Sequence, residues 1–226
     1  MSDYLLVHGA FNSGWVWDLV AERLVKAGHR VRVADQLPSA GTDPGALGDL
    51  TADIEYVRRA LEAIEGRVVL VGHSYSGMVI TEFADDPQIR HSVYVAALWP
   101  DRGQSALNLM GETLPKVFVR RDDGALQITD DFTAAWQAFC PDLDQAAAHK
   151  ALSRFALQSL GAFTVASTAP DRAHPSTYVI ASGESDASVV AQEARASNAD
   201  LTVRLSAAHM VQLSAPDQLA ATLGRI

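Results

Sequence analysis

The sequence predicts a doubly wound α/β fold: one mostly parallel sheet of about six strands, carrying a small, mainly helical cap insertion. Short apolar runs rich in β-branched residues alternate with longer stretches of helical spacing. Each of the strands read in the first hundred residues is nearly continuously apolar, as expected for a parallel sheet buried on both faces. The alternation stops after Pro100 and resumes near His174, which marks an insertion in one sheet and not a separate linker-bound domain.

Each element has its own signal. Tyr4–Val7 reads as the first strand. Gly14–Ala27 has helical spacing, with Trp17, Val20, Leu24 and Ala27 on one face and Gly28 as its stop. His29–Ala34 is the second strand, and Leu47–Ile64 is a helix with Leu50, Ile54, Val57, Leu61 and Ile64 in register. Val68–Val71, Gly77–Ala84 and Ser92–Ala97 continue as strand, helix and strand. In the interruption, Lys116–Ile128 predicts a hairpin turning at Asp123-Gly124, followed by helices over Asp131–Phe139 and Asp142–Arg154. Thr177–Ala181, Val189–Ser197, Leu201–Leu205 and a helix from Pro216 complete the pattern. The core is therefore expected in residues 1–100 and 174–226, with the cap in 101–173.

The composition narrows the function. The 226 residues suit one domain with an insertion, and 48% hydrophobic with 20% charged residues is an ordinary globular balance. A net charge of −9 and the lack of a Lys/Arg cluster argue against a nucleic-acid or membrane partner. The single cysteine, Cys140, cannot form an intrachain disulfide and reads as an inert, buried thiol. The start MSDYLLVHG lacks signal-peptide features, and no apolar run approaches the ~18 residues of a membrane helix. The expectation is a soluble, cytoplasmic protein, with oligomeric state left open and a homodimer among the alternatives.

The chemistry centres on Val68–Ile80, VVLVGHSYSGMVI. Ser74 stands where a strand ends and a helix begins, between Gly72 and Ser76, with Gly77 next. A sharp strand-turn-helix of this kind lifts the hydroxyl out of the sheet. The usual Gly-x-Ser-x-Gly signature has glycine where this chain has Ser76. As a mere helix cap, Ser74 would leave the flanking glycines unexplained. A serine hydroxyl needs a base. Of seven histidines, His209 follows the last strand at the carboxyl edge of the sheet, where reactive groups collect in open α/β sheets. His29, His91, His149 and His174 read as surface or polar residues, and His8 and His73 as packed rings beside glycine. The base needs a carboxylate, and Glu184 and Asp186 both follow the strand ending near Ala181. Asp186, further out, is the preferred acid; otherwise it is a helix N-cap. Backbone N–H groups of Tyr75 and Ala10, with Phe11 next, are the expected oxyanion donors.

These residues resemble the α/β-hydrolase superfamily, and most nearly its branch of plant methyl-salicylate-type esterases, hydroxynitrile lyases and bacterial relatives. The resemblance lies in LLVHGAFNSGWVWDLV, VVLVGHSYSGM, VYVAALWPD and AAHMVQLSAPDQLAATL, which span most of the chain outside the insertion. It implies Ser74 as nucleophile, His209 as base, Asp186 as acid, and Ala10 and Tyr75 as oxyanion amides. It also implies a cap over the site, reduced here because the chain is shorter than typical members. Because the chain begins close to the family's first strand, the leading strands of larger hydrolases are expected to be absent. Members that cleave cyanohydrins resemble one another in a lysine beside the catalytic histidine. Met210 stands there in this chain and could not protonate a departing cyanide, so the resemblance implies an esterase.

The expected activity is hydrolysis of a small apolar carboxylic ester through an acyl-enzyme, with no metal or organic cofactor. Phe11 and Trp15 in the first loop, Phe132, Trp136, Phe139 and Phe155 in the insertion, and Met210 are candidate pocket walls. The competing readings are another reaction on the same triad (hydroxynitrile cleavage, carbon–carbon hydrolysis or lactone opening) and a non-catalytic small-molecule receptor.

Overall fold

Val68–His73 is buried along its whole length because it runs through the middle of a six-stranded parallel sheet. The computed structural model describes residues 1–226. In chain order the elements are β1 (Asp3–Val7), a 3₁₀ turn over Gly14–Trp17, α1 (Asp18–Lys26), β2 (Arg30–Val33), β3 (Ala40–Gly41) and α2 (Leu50–Glu62). Then come β4 (Val68–His73), α3 (Ser76–Thr81), β5 (Ile89–Val95), α4 (Ala106–Leu109), β6 (Phe118–Arg120) and β7 (Leu126–Ile128). The remainder is α5 (Phe132–Phe139), α6 (Gln145–Leu152), β8 (Leu157–Gln158), α7 (Gly161–Thr164), β9 (Ser176–Ala181), α8 (Asp186–Ala196), β10 (Leu201–Leu205), α9 (Val211–Ser214) and α10 (Pro216–Leu223). No helix is long and apolar enough to cross a membrane.

The main sheet has the order β10-β9-β5-β4-β1-β2, with every neighbouring pair parallel. Successive side chains of a strand point to opposite faces, so each central strand feeds two cores. Leu5, Val7, Val68 and Leu70 join a cluster with Leu50, Val57 and Leu61 of α2 and Met78 and Ile80 of α3. Tyr4, Leu6, Val69 and Val71 join the other, with Val20 and Leu24 of α1 and Leu219 and Leu223 of α10. Full burial of each such side chain contributes about 1.5–3 kcal/mol, so the central strands dominate the sheet's stability. Edge strand β2, Arg30-Val31-Arg32-Val33, alternates exposed and half-buried residues, and edge strand β10 is mostly exposed until Leu205. A nearly continuous apolar run is the expectation for β2 as for β1, β4 and β5, but an edge strand packs helices on one face only.

The chain order along the sheet reverses at the β1–β4 neighbour pair: β2 lies outside β1, whereas β5, β9 and β10 extend from β4 the other way. Loops leaving the carboxyl ends of β1 and β4 diverge there and leave a crevice. Residues 101–173 lie over it with four helices, α4 to α7, and three short strands, β6 to β8. The hairpin of β6 and β7 turns at Gly124 (φ +86°). It joins a four-stranded antiparallel sheet of order β3-β8-β7-β6. β3 comes from the core, so this small sheet stitches the insertion to the body. Two-residue strands such as Ala40–Gly41 and Leu157–Gln158 carry no readable period, which is why the sequence does not reveal them.

Candidate active site

Ser74 sits at the crevice with φ +54°, a left-handed conformation that a non-glycine residue holds only at a cost of order 1–3 kcal/mol. Neighbouring strand β5 fixes this bend: Ser74 N–H donates to the Val95 carbonyl at 3.1 Å, and Leu98 N–H donates to the Ser74 carbonyl at 2.9 Å. Gly9 faces the bend so closely that a Cβ there would lie 2.9 Å from His73 Nδ1 and 3.0 Å from Ser74 Cβ. Ser76, where the signature has glycine, is fully buried and satisfied. Its Oγ is 2.9 Å from both the Val7 and the His73 carbonyl oxygens, so the extra hydroxyl ties α3 to two strand ends.

His209 Nε2 is 2.9 Å from Ser74 Oγ, and His209 Nδ1 is 2.9 Å from Glu184 Oε1. An ionised carboxylate only accepts, so Nδ1 carries the proton and Nε2 turns its lone pair to the serine hydroxyl. Burial pushes the Glu184 carboxyl up, but the His209 contact and the Ser188 and Arg195 interactions outweigh it, and the net is below the ordinary carboxylate value. The carboxylate on His209 Nδ1 is thus Glu184 and not Asp186, the residue expected there. Asp186 begins α8, exposed, with Ser185 as the residue whose side chain caps the helix. The backbone explains the difference. Ser182 N–H donates to Leu205 O at 2.9 Å and Gly183 N–H to Ala207 O at 2.8 Å, which splices the β9 exit to the β10 exit and sets residue 184 beside residue 209.

His209 is held from three sides. Ala208 N–H donates to Asp142 Oδ2 at 2.7 Å, Met210 N–H donates to Phe139 O at 3.1 Å, and His73 Nε2 is 2.9 Å from the His209 carbonyl. The Gln212 amide nitrogen, 3.1 Å from His73 Nδ1, donates there and leaves the His73 proton on Nε2. Burial, followed by the nearby His209 ring, holds the His73 ring well below the usual imidazole range, so it stays neutral.

The expected oxyanion donors, the N–H groups of Ala10 and Tyr75, form no hydrogen bond within the protein. Phe11 N–H is engaged at 2.9 Å by Gln158 Oε1 and is not free for this role. His8 pins the Gly9–Ala10 peptide: its Nδ1 donates to Gly9 O at 2.8 Å, while Leu37 N–H donates to its Nε2 at 3.0 Å. Burial pulls the His8 ring down to about 4, from an ordinary value of 6.5. A histidine depressed on folding adds stability that is complete above the unfolded value and lost as pH falls through the folded one. His8 should therefore remove about 3 kcal/mol of unfolding free energy between pH 7 and pH 4. Denaturant titrations at the two pH values should show the parent losing about 3 kcal/mol more unfolding free energy than His8→Asn; equal losses would mean that the ring is not buried neutral.

The site opens into a cavity of about 800 Å³ whose walls include Leu98, Leu109, Met110, Val117, Phe118 and Phe139. Of the expected wall residues, Phe11, Phe139 and Met210 line it. Trp15, Phe132, Trp136 and Phe155 do not. Trp15 lies under the Arg154 guanidinium, and Trp136 stacks on Phe132 with its indole N–H donating to Leu143 O at 3.1 Å. Phe155 packs edge-on against the outer side of Phe139 and faces a second, smaller cavity. Phe118 lies on the three-residue strand β6 and Met110 ends the four-residue helix α4, elements too short to carry a readable period. Cys140 is buried, and burial pushes its thiol up to about 11, as suits an inert side chain.

A sequence model of the Alpha/beta hydrolase family matches residues 4–222. Among curated proteins, the chain is similar to a carbendazim hydrolyzing esterase of Nocardioides sp. (strain SG-4G), 40% identical over 121 residues, or 51% of this chain and 50% of that protein. It is also similar to salicylic acid-binding protein 2 of Nicotiana tabacum, 36% identical over 43% of this chain and 40% of that one. The chain thus matches about half the length, or somewhat less, of these relatives. Among solved structures, a pyrethroid hydrolase from Sphingobium faniae JZ-2 superposes with a TM-score of 0.81 at 24% identity, over 99% of this chain and 96% of that one. Polyneuridine aldehyde esterase does so with a TM-score of 0.81 at 20% identity, over 99% and 98%.

Proposed function

The chain belongs to the alpha/beta hydrolase family, and on that premise we propose that it is a serine hydrolase that cleaves a small, largely apolar carboxylic ester through an acyl-enzyme. The observation that carries this is the continuous line of hydrogen bonds from Glu184 through His209 to Ser74 Oγ, each 2.9 Å long, at the floor of an apolar cavity. Several similar proteins have esterase or hydrolase in their names, which supports the same chemistry here.

Ser74 Oγ attacks the ester carbonyl while His209 Nε2 takes its proton. Glu184 holds the ring in the tautomer that can accept and offsets the charge it gains. The developing oxyanion lies against the Ala10 and Tyr75 N–H groups, where each such donor is worth about 3 kcal/mol. Collapse breaks the bond to the alcohol oxygen, which leaves with the proton from His209. Water, deprotonated by the same ring, then attacks the acyl carbon, and the acid departs as the proton returns to Ser74. Residues 101–173 act as the cap that shapes the acyl and alcohol pocket. Met210, buried beside the base, offers a thioether and no cation to a leaving group, which favours ester cleavage over cyanohydrin cleavage. The substrate is a small molecule, and no step needs a metal or organic cofactor. A reducing, cytoplasmic setting, in keeping with the unpaired Cys140, is part of this reading.

A fluorophosphonate probe tests it directly. One adduct should form, peptide mass spectrometry should place it on Ser74, and hydrolysis of a short p-nitrophenyl ester should vanish as labelling completes. Turnover that persists in fully labelled protein would refute the nucleophile. Tight binding of a small ester with neither labelling nor turnover would indicate a receptor.

A further inference from the structure

We propose that Asp53, a buried carboxylate outside the triad, is a positioning residue that holds both walls of the oxyanion site, through Tyr75 on one side and the cap residue Gln158 on the other. The proposal rests on the serine hydrolase reading above and adds a residue set to it.

Asp53 lies on α2 with none of its surface exposed and no cation paired with it. A buried, unpaired carboxylate is costly, and an apolar residue of similar size would be cheaper there. Burial pushes its carboxyl up to about 6, against the opposing pull of hydrogen bonds from Ser39 and Tyr75. Its oxygens accept three of them. Ser39 N–H donates to Oδ1 at 2.8 Å, Ser39 Oγ donates to Oδ2 at 2.5 Å, and Tyr75 Oη donates to Oδ2 at 2.8 Å.

From Ser39 the line runs to the cap. The Ser39 hydroxyl has one proton, given to Asp53, so its lone pairs receive the Gln158 Nε2 amide at 2.7 Å. That fixes the Gln158 amide with Oε1 toward the first loop, where it accepts Phe11 N–H at 2.9 Å. Phe11 has φ +62°, a strained conformation that this bond and the bond from Ala156 N–H to Phe11 O, at 2.7 Å, hold in place. The Ala10–Phe11 peptide is thereby clamped, since Asn12 Nδ2 donates to its carbonyl at 2.9 Å. Ala10 N–H is left without a partner, in the wall of the cavity that Ser74 also lines. On the other wall, Tyr75 carries the second oxyanion N–H and is anchored by its own hydroxyl. Every dipole in the line points at the Asp53 charge, so one carboxylate sets the polarity of the whole chain. Seating of β8, a cap strand, is coupled to the assembly of the oxyanion site by the same bonds.

Exchanging charge for amide tests this polarity. In Asp53→Asn, the new Nδ2 donates toward Ser39, the Ser39 hydroxyl turns to Gln158, and the Gln158 amide must present a donor to Phe11 N–H. The expected result is a kcat lower by about 10- to 100-fold with KM little changed, because the donors are displaced and the binding walls are not. The inhibition constant of a trifluoromethyl ketone, whose adduct oxygen occupies the oxyanion position, should rise in parallel. Adding Gln158→Glu to Asp53→Asn supplies a carboxylate that accepts from both Ser39 and Phe11, and should restore most of both losses. A purely structural role predicts no such rescue. Unchanged kcat and ketone inhibition in Asp53→Asn, or a loss that Gln158→Glu leaves uncorrected in a folded double variant, would overturn the proposal. Should Asp53→Asn not fold, Tyr75→Phe removes only the hydroxyl that anchors one wall and must show a smaller kcat loss at constant KM, with unchanged kcat overturning that half of the proposal. If the parent protein neither turns over esters nor reacts with a fluorophosphonate, the hydrolase reading itself has failed, a result separate from these.

Discussion

Glu184→Gln is expected to lower kcat on an activated ester by about four orders of magnitude, while Asp186→Asn stays within about twofold of the parent. The asymmetry follows from position. Glu184 Oε1 accepts the His209 Nδ1 proton, and the carboxylate is held ionised below its ordinary range. A glutamine can present its amide nitrogen to Nδ1, which moves the ring proton to Nε2 and leaves no lone pair for the Ser74 hydroxyl. It also leaves the imidazolium formed during attack without a counter-charge in a mostly buried site. Asp186 does neither job. It lies exposed in the first turn of α8, where a carboxylate is worth about 0.3–1 kcal/mol through the helix dipole. Asp186→Asn should therefore shift the melting temperature slightly and kinetics hardly at all. Steady-state rates on one p-nitrophenyl ester for both variants decide the matter. A large loss in Asp186→Asn with an active Glu184→Gln would reinstate the acid that sequence position favoured.

That reversal shows where the sequence stops being legible. The central strands could be read because burial on both faces leaves Val68–Val71 and Tyr4–Val7 with hardly a polar residue. Ser74 and His209 could be placed because the strand-to-helix bend and the last loop are local features with local residue types. Choosing between Glu184 and Asp186 needed something nonlocal: the two backbone bonds that splice the β9 exit to the β10 exit. Two residues of slip in a loop reverse such a choice, and no periodicity constrains it. Residues 101–173 were legible as two helices and a hairpin, and the side they turn to the cavity was not. Trp136 and Phe155 stay out of the cavity while Phe118 lines it from β6, in the small sheet joined to the core through β8. Its pairing partner β3 lies more than a hundred residues upstream. Asp53 was hidden for a related reason. On α2 it reads as one more polar helix position, and only the packing of Ser39, Tyr75 and Gln158 around it distinguishes it.

Gly77→Ala is expected to damage fold and site together, through a single added carbon. A Cβ at this position would lie 1.8 Å from the Leu98 carbonyl oxygen and 3.0 Å from Ala97 Cβ. The first contact is with backbone, and that backbone is itself fixed, since Leu98 N–H donates to the Ser74 carbonyl at 2.9 Å. Neither partner can rotate away as a side-chain tip would. Either α3 moves off the β5 exit or the exit moves, and both routes stretch the bonds that hold Ser74 in its left-handed bend. Overpacking of this kind costs about 1–3 kcal/mol where side chains can yield, and the upper end or beyond is expected against backbone. For a chain of this size each kcal/mol lowers the melting temperature by about 2–4 °C, so a drop of about 6–12 °C is anticipated. Activity should fall by more than the stability loss explains, at temperatures where the variant is fully folded, because the nucleophile then sits away from His209 Nε2. Alanine normally favours a helix over glycine by about 1 kcal/mol, so an unchanged or raised melting temperature would show that the helix and the strand exit are not in the contact described. Calorimetry of the variant, paired with its fluorophosphonate labelling rate at 20 °C below its own midpoint, separates the two effects. A melting temperature lowered as anticipated with an undisturbed labelling rate would mean that the Ser74 bend is held by β5 alone, independently of where α3 rests.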